Sequence, residues 1–170
     1  SKMVPVNKSR IAVLGCGWLG FPLATELIKK DFEVYGTTTK IDKLQRLIKN
    51  GIKGYLLNLP DIDNEGADLW SCDTFIINIP PGRRNPDYAA LYPSRINVLV
   101  SKILSGSSDP RIIFVSTTGV YKNTGSQADE AATLVEEHES VLLRAENIVL
   151  RGTKQSVILR MAGLAGPGRN

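Results

Sequence analysis

The stretch "VLGCGWLG", residues 13–20, places Gly15, Gly17 and Gly20 directly behind a run of apolar residues. A triplet of this kind is a weak signal by itself, because glycine is common in turns. Here it follows a predicted strand and opens a predicted helix, which is the setting of a dinucleotide-binding turn. A glycine-rich turn without a ligand is the alternative. A Walker-type phosphate loop is excluded, since no Gly-Lys-Ser/Thr follows.

Strand-like apolar runs alternate with helical periods from one end of the chain to the other. This pattern predicts a three-layer α/β/α fold, a doubly wound parallel sheet of about six strands of the Rossmann type. We expect Pro93 to kink the third helix or split it in two, and residues 122–132 to form a polar loop. The predicted strands are 10–14, 32–37, 52–59, 74–80, 111–119 and 156–163, and the predicted helices are about 18–30, 40–51, 87–104 and 136–151.

Composition limits the functional classes that need to be considered. A chain of 170 residues that is 42% hydrophobic can form one compact domain, residues 1–170. Its net charge of +4 comes from scattered basic residues, so we expect no nucleic-acid partner. No apolar run approaches the roughly 20 residues of a membrane span, so we expect no membrane partner. The two cysteines lack metal-ligand spacing, which favours a reducing, cytoplasmic setting and no bound metal.

The end of the second predicted strand bears on the choice of cofactor. A dinucleotide fingerprint predicts an acidic residue there, which holds the ribose hydroxyls of NAD. This chain has Thr37, Thr38, Thr39 and Lys40 instead. Hydroxyls and an ammonium group suit a 2′-phosphate better than two ribose hydroxyls, so we expect NADP in preference to NAD. The alternative is that Lys40 is a solvated residue ahead of the next helix.

Four segments, "GCGWLG", "NIPPGRR", "IIFVSTTGVY" and "ILRMAGLAGPGRN", occur in this order along the chain. Together they resemble the extended and atypical short-chain dehydrogenase/reductase superfamily, in particular its nucleoside-diphosphate-sugar epimerase/dehydratase-like branch. The resemblance implies a cofactor lying across the carboxyl ends of the strands. The expected cofactor-binding residues are Gly15, Cys16, Gly17, Trp18, Leu19, Gly20, Thr37, Thr38, Thr39, Lys40, Asn58, Ile79, Pro80, Pro81 and Ser116.

The same resemblance implies a catalytic arrangement that this chain carries only in part. It places a hydroxyl at Thr117, where it would hydrogen-bond the reacting substrate oxygen. It also implies a tyrosine followed four residues later by a lysine, and none of the five tyrosines has a lysine in that position. Ser140 and Arg144 occupy the helix where the pair is expected, although an arginine is a poor proton relay and serine a weak acid. A solvated helix face is the alternative for both.

Three further side chains are candidates for binding or proton transfer. His138, the single histidine, could act near neutral pH, although a helical histidine can equally be incidental. Arg83 and Arg84 follow the fourth predicted strand and could contact cofactor phosphates or an anionic substrate. A solvated loop is the alternative for the two arginines.

The resemblance therefore implies an NAD(P)-dependent epimerase/dehydratase or reductase. It would act on a nucleotide sugar or a small carbonyl substrate by nicotinamide hydride transfer. The rival hypothesis is a non-catalytic NADP-binding sensor, which the missing tyrosine–lysine pair favours. In relatives the "GPGR" turn leads into a C-terminal substrate lobe, and we expect this lobe to be absent from the 170 residues. A homodimer stays open as the assembly.

Overall fold

The sheet has six strands, all parallel, in the order β3-β2-β1-β4-β5-β6. The computed structural model describes residues 8–62, 66, 68–117 and 128–161, and of residues 117 and 128–135 it describes the backbone alone. The strands are β1 Arg10–Leu14, β2 Glu33–Thr38, β3 Lys53–Leu56, β4 Thr74–Ile77, β5 Arg111–Thr117 and β6 Ser156–Met161. The helices are α1 Gly20–Lys29, α2 Ile41–Lys49, α3 Tyr88–Gly106 and α4 Ala128–Gly152. The predicted doubly wound Rossmann-type sheet is thus confirmed.

Strand order reverses between β1 and β4, and this reversal fixes where a ligand can bind. From β1 the chain moves outward to β2 and β3, then returns to β4 on the other side of β1. The connections that leave the carboxyl ends of β1 and β4 therefore diverge, and a crevice opens between them. The glycine turn follows β1, so the sequence and the topology indicate the same edge of the sheet.

Alternate residues of the central strands enter two separate hydrophobic cores. On β4, Phe75 and Ile77 pack on the α3 and α4 side, whereas Ile76 packs on the α1 and α2 side. On β1, Leu14 and Val13 divide in the same way, and both are fully buried. A strand covered on both faces cannot alternate apolar with polar residues, which explains the nearly continuous apolar runs in the sequence.

The structure corrects two sequence expectations about the helices. Helix α3 runs without interruption through Pro93, so the expected split does not occur, whereas a kink at Pro93 stays a prediction. Pro93 lies in the second helical turn, is buried, and removes only one backbone donor. Helix α4 begins at Ala128, well before residue 136, so residues 128–132 are helical and not part of a loop. Alanine and glutamate are good helix formers, and polar residues on a solvated side do not end a helix.

Strand and helix ends otherwise differ from the predicted ones by a few residues. β3 is shorter than predicted and ends at Leu56, and a single 3-10 turn, Leu69–Ser71, precedes β4. The predicted strand residues 118–119 and 162–163 lie outside the described part of the chain. None of the helices that the structure describes is long and apolar enough to cross a lipid bilayer.

Both cysteines should be unreactive toward thiol reagents while the protein is folded. Cys16 and Cys72 are buried, and burial raises the pKa of Cys16 to about 11 and that of Cys72 to about 12. Only the thiolate is nucleophilic, so at about pH 8 both groups are protonated as well as shielded. We expect iodoacetamide to label neither cysteine in the native protein and both in guanidinium chloride, as measured by mass spectrometry. Rapid native labelling at about pH 8 would contradict the burial of these thiols.

Candidate functional site

The glycine turn is tightly packed on two sides and open on a third. Gly15 has a positive φ of +100°, and a side chain there would collide with the carbonyl oxygen of Asn78. A side chain at Gly20 would collide with the carbonyl oxygen of Gly15 itself. By contrast, no atom of the described chain lies within 4 Å of where a Cβ at Gly17 would be. The backbone at Gly17 is therefore open on this side, and its contact with a pyrophosphate stays a prediction.

Thr37, near the end of β2, accepts two hydrogen bonds from the backbone of the glycine turn. The N–H of Gly15 donates to Oγ1 of Thr37 at 2.9 Å, and the N–H of Cys16 donates to the carbonyl oxygen of Thr37 at 2.8 Å. Thr37 is buried, so its hydroxyl positions the turn from inside the protein. The Cys16 thiol is also buried, and a Cβ at Gly36 would lie only 2.7 Å from its sulfur. The absence of a side chain at Gly36 thus makes room for Cys16.

The segment that follows β4 closes the other side of the turn. Asn78 donates from its backbone N–H to the carbonyl oxygen of Leu14 at 2.8 Å, and from Nδ2 to that of Gly15 at 3.2 Å. The hydroxyl of Tyr92 on α3 donates to the carbonyl oxygen of Ile79 at 2.8 Å. Tyr92 is almost fully buried, and burial raises its pKa, so the hydroxyl keeps its proton and remains a donor.

The N-terminus of helix α1 is directed at the glycine turn. It begins at Gly20, and the N–H of Phe21 donates to the carbonyl oxygen of Gly17 at 3.0 Å. The first N–H groups of a helix lack intrahelical acceptors and carry the positive end of the helix dipole. The first turn of α1 has no acidic residue to compete with a bound anion. A phosphate at the glycine turn would therefore meet both backbone donors and a favourable field.

A cleft of about 530 Å³ opens between the glycine turn and helix α2. Two basic residues of α2, Lys43 and Arg46, line it, and the Arg46 guanidinium lies 4.1 Å above the Phe21 ring centre. Sequence reasoning missed Lys43 and Arg46. The two residues are three positions apart, and this spacing places them on the same side of a helix, which could have indicated a shared basic surface. The lining residues are Cys16, Gly17, Trp18, Leu19, Phe21, Pro22, Lys43, Arg46 and Leu47.

The other expected cofactor residues lie along the carboxyl edge of the sheet. Thr38 is buried, and its Oγ1 accepts from the N–H of Lys40 at 3.3 Å. Thr39 and Lys40 are exposed just beyond β2. Asn58 is exposed beyond β3, where its carbonyl oxygen accepts from the N–H of Asp61 at 2.9 Å. Of the two prolines after Ile79, Pro80 is exposed and Pro81 half-buried.

Strand β5 and helix α4 carry one expected cofactor-binding residue, Ser116, and the three expected catalytic residues. Ser116, near the carboxyl end of β5, is 1% exposed, and its Oγ has no hydrogen-bond partner among the described residues. Thr117 is the last residue of that strand, and its side chain lies outside the described part of the structure. Ser140 and Arg144 are exposed on α4. A catalytic role for Thr117, Ser140 and Arg144 therefore stays a prediction.

Helix α4 directs a different side chain into the protein. His138 is 4% exposed, and its Nδ1 accepts a hydrogen bond from Nε of Arg83 at 3.0 Å. The ring of Tyr88 lies 6.1 Å from the imidazole, centre to centre, at a tilt of 39°. Arg84 is exposed. Sequence reasoning named Arg83 and His138 separately, because nothing local links residues so far apart in the chain.

Part of the chain matches a known family, and most of it matches a known protein. Residues 10–64 match the family of the NAD binding domain of 6-phosphogluconate dehydrogenase. Over 169 residues the chain is 35% identical to Protein YeeZ of Escherichia coli K12, and equally to that of strain O157:H7. Each match covers 95% of this chain and 61% of the relative, so the chain spans less than two thirds of the length of these proteins.

Solved structures share the fold at low sequence identity. A candidate NAD-dependent epimerase/dehydratase from Bacillus halodurans superposes on this chain with a TM-score of 0.70 and 18% sequence identity. The match covers 93% of this chain and 72% of that one. A second such protein, from Methylobacillus flagellatus, gives 0.57 at 23% identity, over 96% and 57%. Yeast methylglyoxal/isovaleraldehyde reductase Gre2, complexed with NADPH, gives 0.57 at 13% identity, over 90% and 56%.

The two glycines of the turn should respond differently to the same substitution. Gly17→Ala places a methyl group in open space, so we expect almost no change in the free energy of unfolding. The methyl would nevertheless occupy the ligand's line of approach, and dinucleotide affinity should fall about tenfold or more. Gly20→Ala forces a collision with backbone and should destabilise the fold by about 1–3 kcal/mol. Chemical denaturation and calorimetric titration measure the two effects, and a tight complex with Gly17→Ala would contradict this geometry.

Proposed function

We propose that this chain, which has a Rossmann-type fold and matches an NAD binding domain family over residues 10–64, binds a nicotinamide dinucleotide and uses NADP in preference to NAD. The observation that carries the proposal is the basic lining of the cleft beside the glycine turn. Lys43 and Arg46 line that cleft. Residues 37–40, at the end of β2, include Lys40 and no carboxylate.

The residues present fit a phosphorylated dinucleotide. The open backbone at Gly17 and the N-terminus of α1 suit a pyrophosphate, because both offer N–H donors without a side chain in the way. The stacking of Arg46 on Phe21 restricts the guanidinium before any ligand arrives. A 2′-phosphate gains from these cations, whereas the ribose hydroxyls of NAD gain little.

We further propose that the substrate is a small carbonyl compound or a nucleotide sugar. Bound NADP would supply a hydride donor or acceptor at the nicotinamide ring. Thr117 would donate a hydrogen bond to the reacting oxygen, which is the role that the family resemblance implies at the end of β5. The neighbouring Ser116 supports this proposal, because a buried hydroxyl without a partner in the described protein is a group that a ligand can satisfy.

A second candidate function is a non-catalytic NADP sensor. Two observations favour it: no tyrosine of this chain has a lysine four residues later, and Ser140 and Arg144, the substitutes on α4, lie on its exposed side. Such a module would need the cofactor cleft and no proton donor. The two candidates share the NADP site and differ only in turnover.

Substitution of the two basic cleft residues should change the choice of cofactor. We expect Lys43→Ala and Arg46→Ala each to lower NADP affinity about tenfold, because a charge-assisted contact is worth about 1.5–3 kcal/mol. NAD affinity should stay nearly constant. Lys49→Ala, at the far end of the same helix and outside the cleft, is the matched control.

Isothermal titration and thermal shift measure these affinities. NADP at about 100 times its dissociation constant should raise the free energy of unfolding by about 2.7 kcal/mol, which is several degrees in Tm. Tighter binding of NAD than of NADP at physiological salt would contradict the proposal, as would no stabilisation by either cofactor.

Turnover should depend on the hydroxyl at residue 117. With a panel of nucleotide sugars and small carbonyl compounds, we expect Thr117→Ala to lower kcat about 100-fold, because it removes a donor to the reacting oxygen. Thr117→Ser keeps a hydroxyl and should retain most of the rate. NADPH absorbance measures both. NADP binding without turnover on any member of the panel would contradict the enzyme and favour the sensor.

A further inference from the structure

Two residues from neighbouring strands hold the peptide groups on either side of Gly15. Thr37 accepts from both N–H groups: the N–H of Gly15 donates to its Oγ1 at 2.9 Å, and that of Cys16 to its carbonyl oxygen at 2.8 Å. Asn78 donates to both carbonyl oxygens, from its backbone N–H to that of Leu14 at 2.8 Å and from Nδ2 to that of Gly15 at 3.2 Å. The peptide groups before and after Gly15 are therefore each hydrogen-bonded at both ends.

Gly15 needs these partners, because a glycine does not fix its own backbone. Its φ is +100°, and glycine adopts positive and negative φ with similar ease. The orientation of the two peptide groups is therefore decided by the groups that bind them. Thr37 is 2% exposed, so water has little access to take the place of its oxygens. Asn78 is half-buried and reaches the turn from the opposite side.

The direction of the Gly15 carbonyl matters for an anionic ligand. This oxygen lies against Gly20, the first residue of α1, and Nδ2 of Asn78 is 3.1 Å from where a Cβ at Gly20 would be. The carboxamide of Asn78 thus holds the carbonyl beside the start of the helix. A carbonyl oxygen carries partial negative charge, whereas the N-terminus of α1 attracts a phosphate. A carbonyl that turned toward the phosphate would oppose that attraction.

We propose that Thr37 and Asn78 are positioning residues of the cofactor site, which set its affinity for a pyrophosphate by fixing the two peptide groups around Gly15. This inference rests on the proposed function and adds residues that act on the ligand through the glycine turn. The role requires no contact between either side chain and the cofactor. It differs from the direct contact expected of Thr37 from the sequence.

The size of the effect follows from the fraction of molecules in the binding orientation. When a ligand binds only one conformation, its apparent affinity falls in proportion to the population of that conformation. Loss of one side chain that leaves about a tenth of the molecules in the binding orientation would lower the affinity about tenfold. A ligand that does not reach the glycine turn would bind equally well in both orientations.

The test compares two ligands on the full protein by isothermal titration. NADP carries the pyrophosphate, whereas adenosine 2′-monophosphate lacks it and would meet only the cleft lined by Lys43 and Arg46. Thr37→Val keeps the shape but removes the hydroxyl acceptor, and Asn78→Leu removes the Nδ2 donor. We expect each to lower NADP affinity about tenfold and to leave the affinity for adenosine 2′-monophosphate within about twofold of the wild type. Arg46→Ala should weaken both ligands.

Conservative and distant substitutions complete the comparison. Thr37→Ser keeps a hydroxyl and should retain NADP affinity within about threefold of the wild type, a rescue that a role in packing alone would not show. Thr74→Val, at the first residue of β4 and hence at the other edge of the sheet, is the matched control for Thr37→Val. Asn97→Leu, exposed on α3, is the matched control for Asn78→Leu. Both controls should bind both ligands as the wild type does.

Three results would overturn the inference. Wild-type NADP affinity in Thr37→Val or in Asn78→Leu would remove that residue from the role. Equal losses for NADP and adenosine 2′-monophosphate would assign the effect to the fold as a whole. Equal weakening in Thr37→Ser and Thr37→Val would exclude the hydroxyl. If Thr37→Val does not fold, Asn78→Leu carries the comparison, because its position is only half-buried. Failure of either ligand to bind the wild type would instead refute the proposed function.

Discussion

The close approach of three backbone segments at the glycine turn is the constraint on which the ligand side of this protein depends. The carbonyl of Asn78 lies against Gly15, and the carbonyl of Gly15 lies against Gly20, so a Cβ fits at neither position. This contact joins β1, the start of α1 and the end of β4 into one unit. The same unit leaves Gly17 open and directs the N-terminus of α1 at the opening. Fold and site are thus set by one local arrangement.

Basic side chains lie on both sides of that unit. Lys43 and Arg46 belong to the cleft on the α1 and α2 side, where a phosphorylated dinucleotide would lie. Arg83 belongs to the α4 side, where its guanidinium is held by His138. The net charge of +4 does not reveal these positions, because it is a sum over all 21 basic and 17 acidic residues. The total charge therefore says little about where the basic side chains of this protein lie.

The sequence predicts the sheet and the glycine turn well, because both depend on local patterns. A buried strand needs a continuous apolar run, and a tight turn needs glycine. Contacts between distant residues could not be predicted in this way. The Arg83–His138 bond spans 55 residues, and the hydroxyl of Thr37 was expected to face the cofactor, whereas it bonds to the N–H of Gly15. The early start of α4 was missed because a polar segment can form a loop or a solvated helix with equal ease.

The hydrogen bonds between Thr37 and the glycine turn have a consequence for conformational entropy. Two donors of the turn, at Gly15 and Cys16, are already satisfied by β2, and Asn78 binds the turn from β4. The backbone freedom of these residues is therefore given up when the chain folds, in the same cooperative step that forms the sheet. A ligand that meets such a turn has little left to order, and more of its contact energy appears as affinity. The turn is preorganised by the scaffold beneath it.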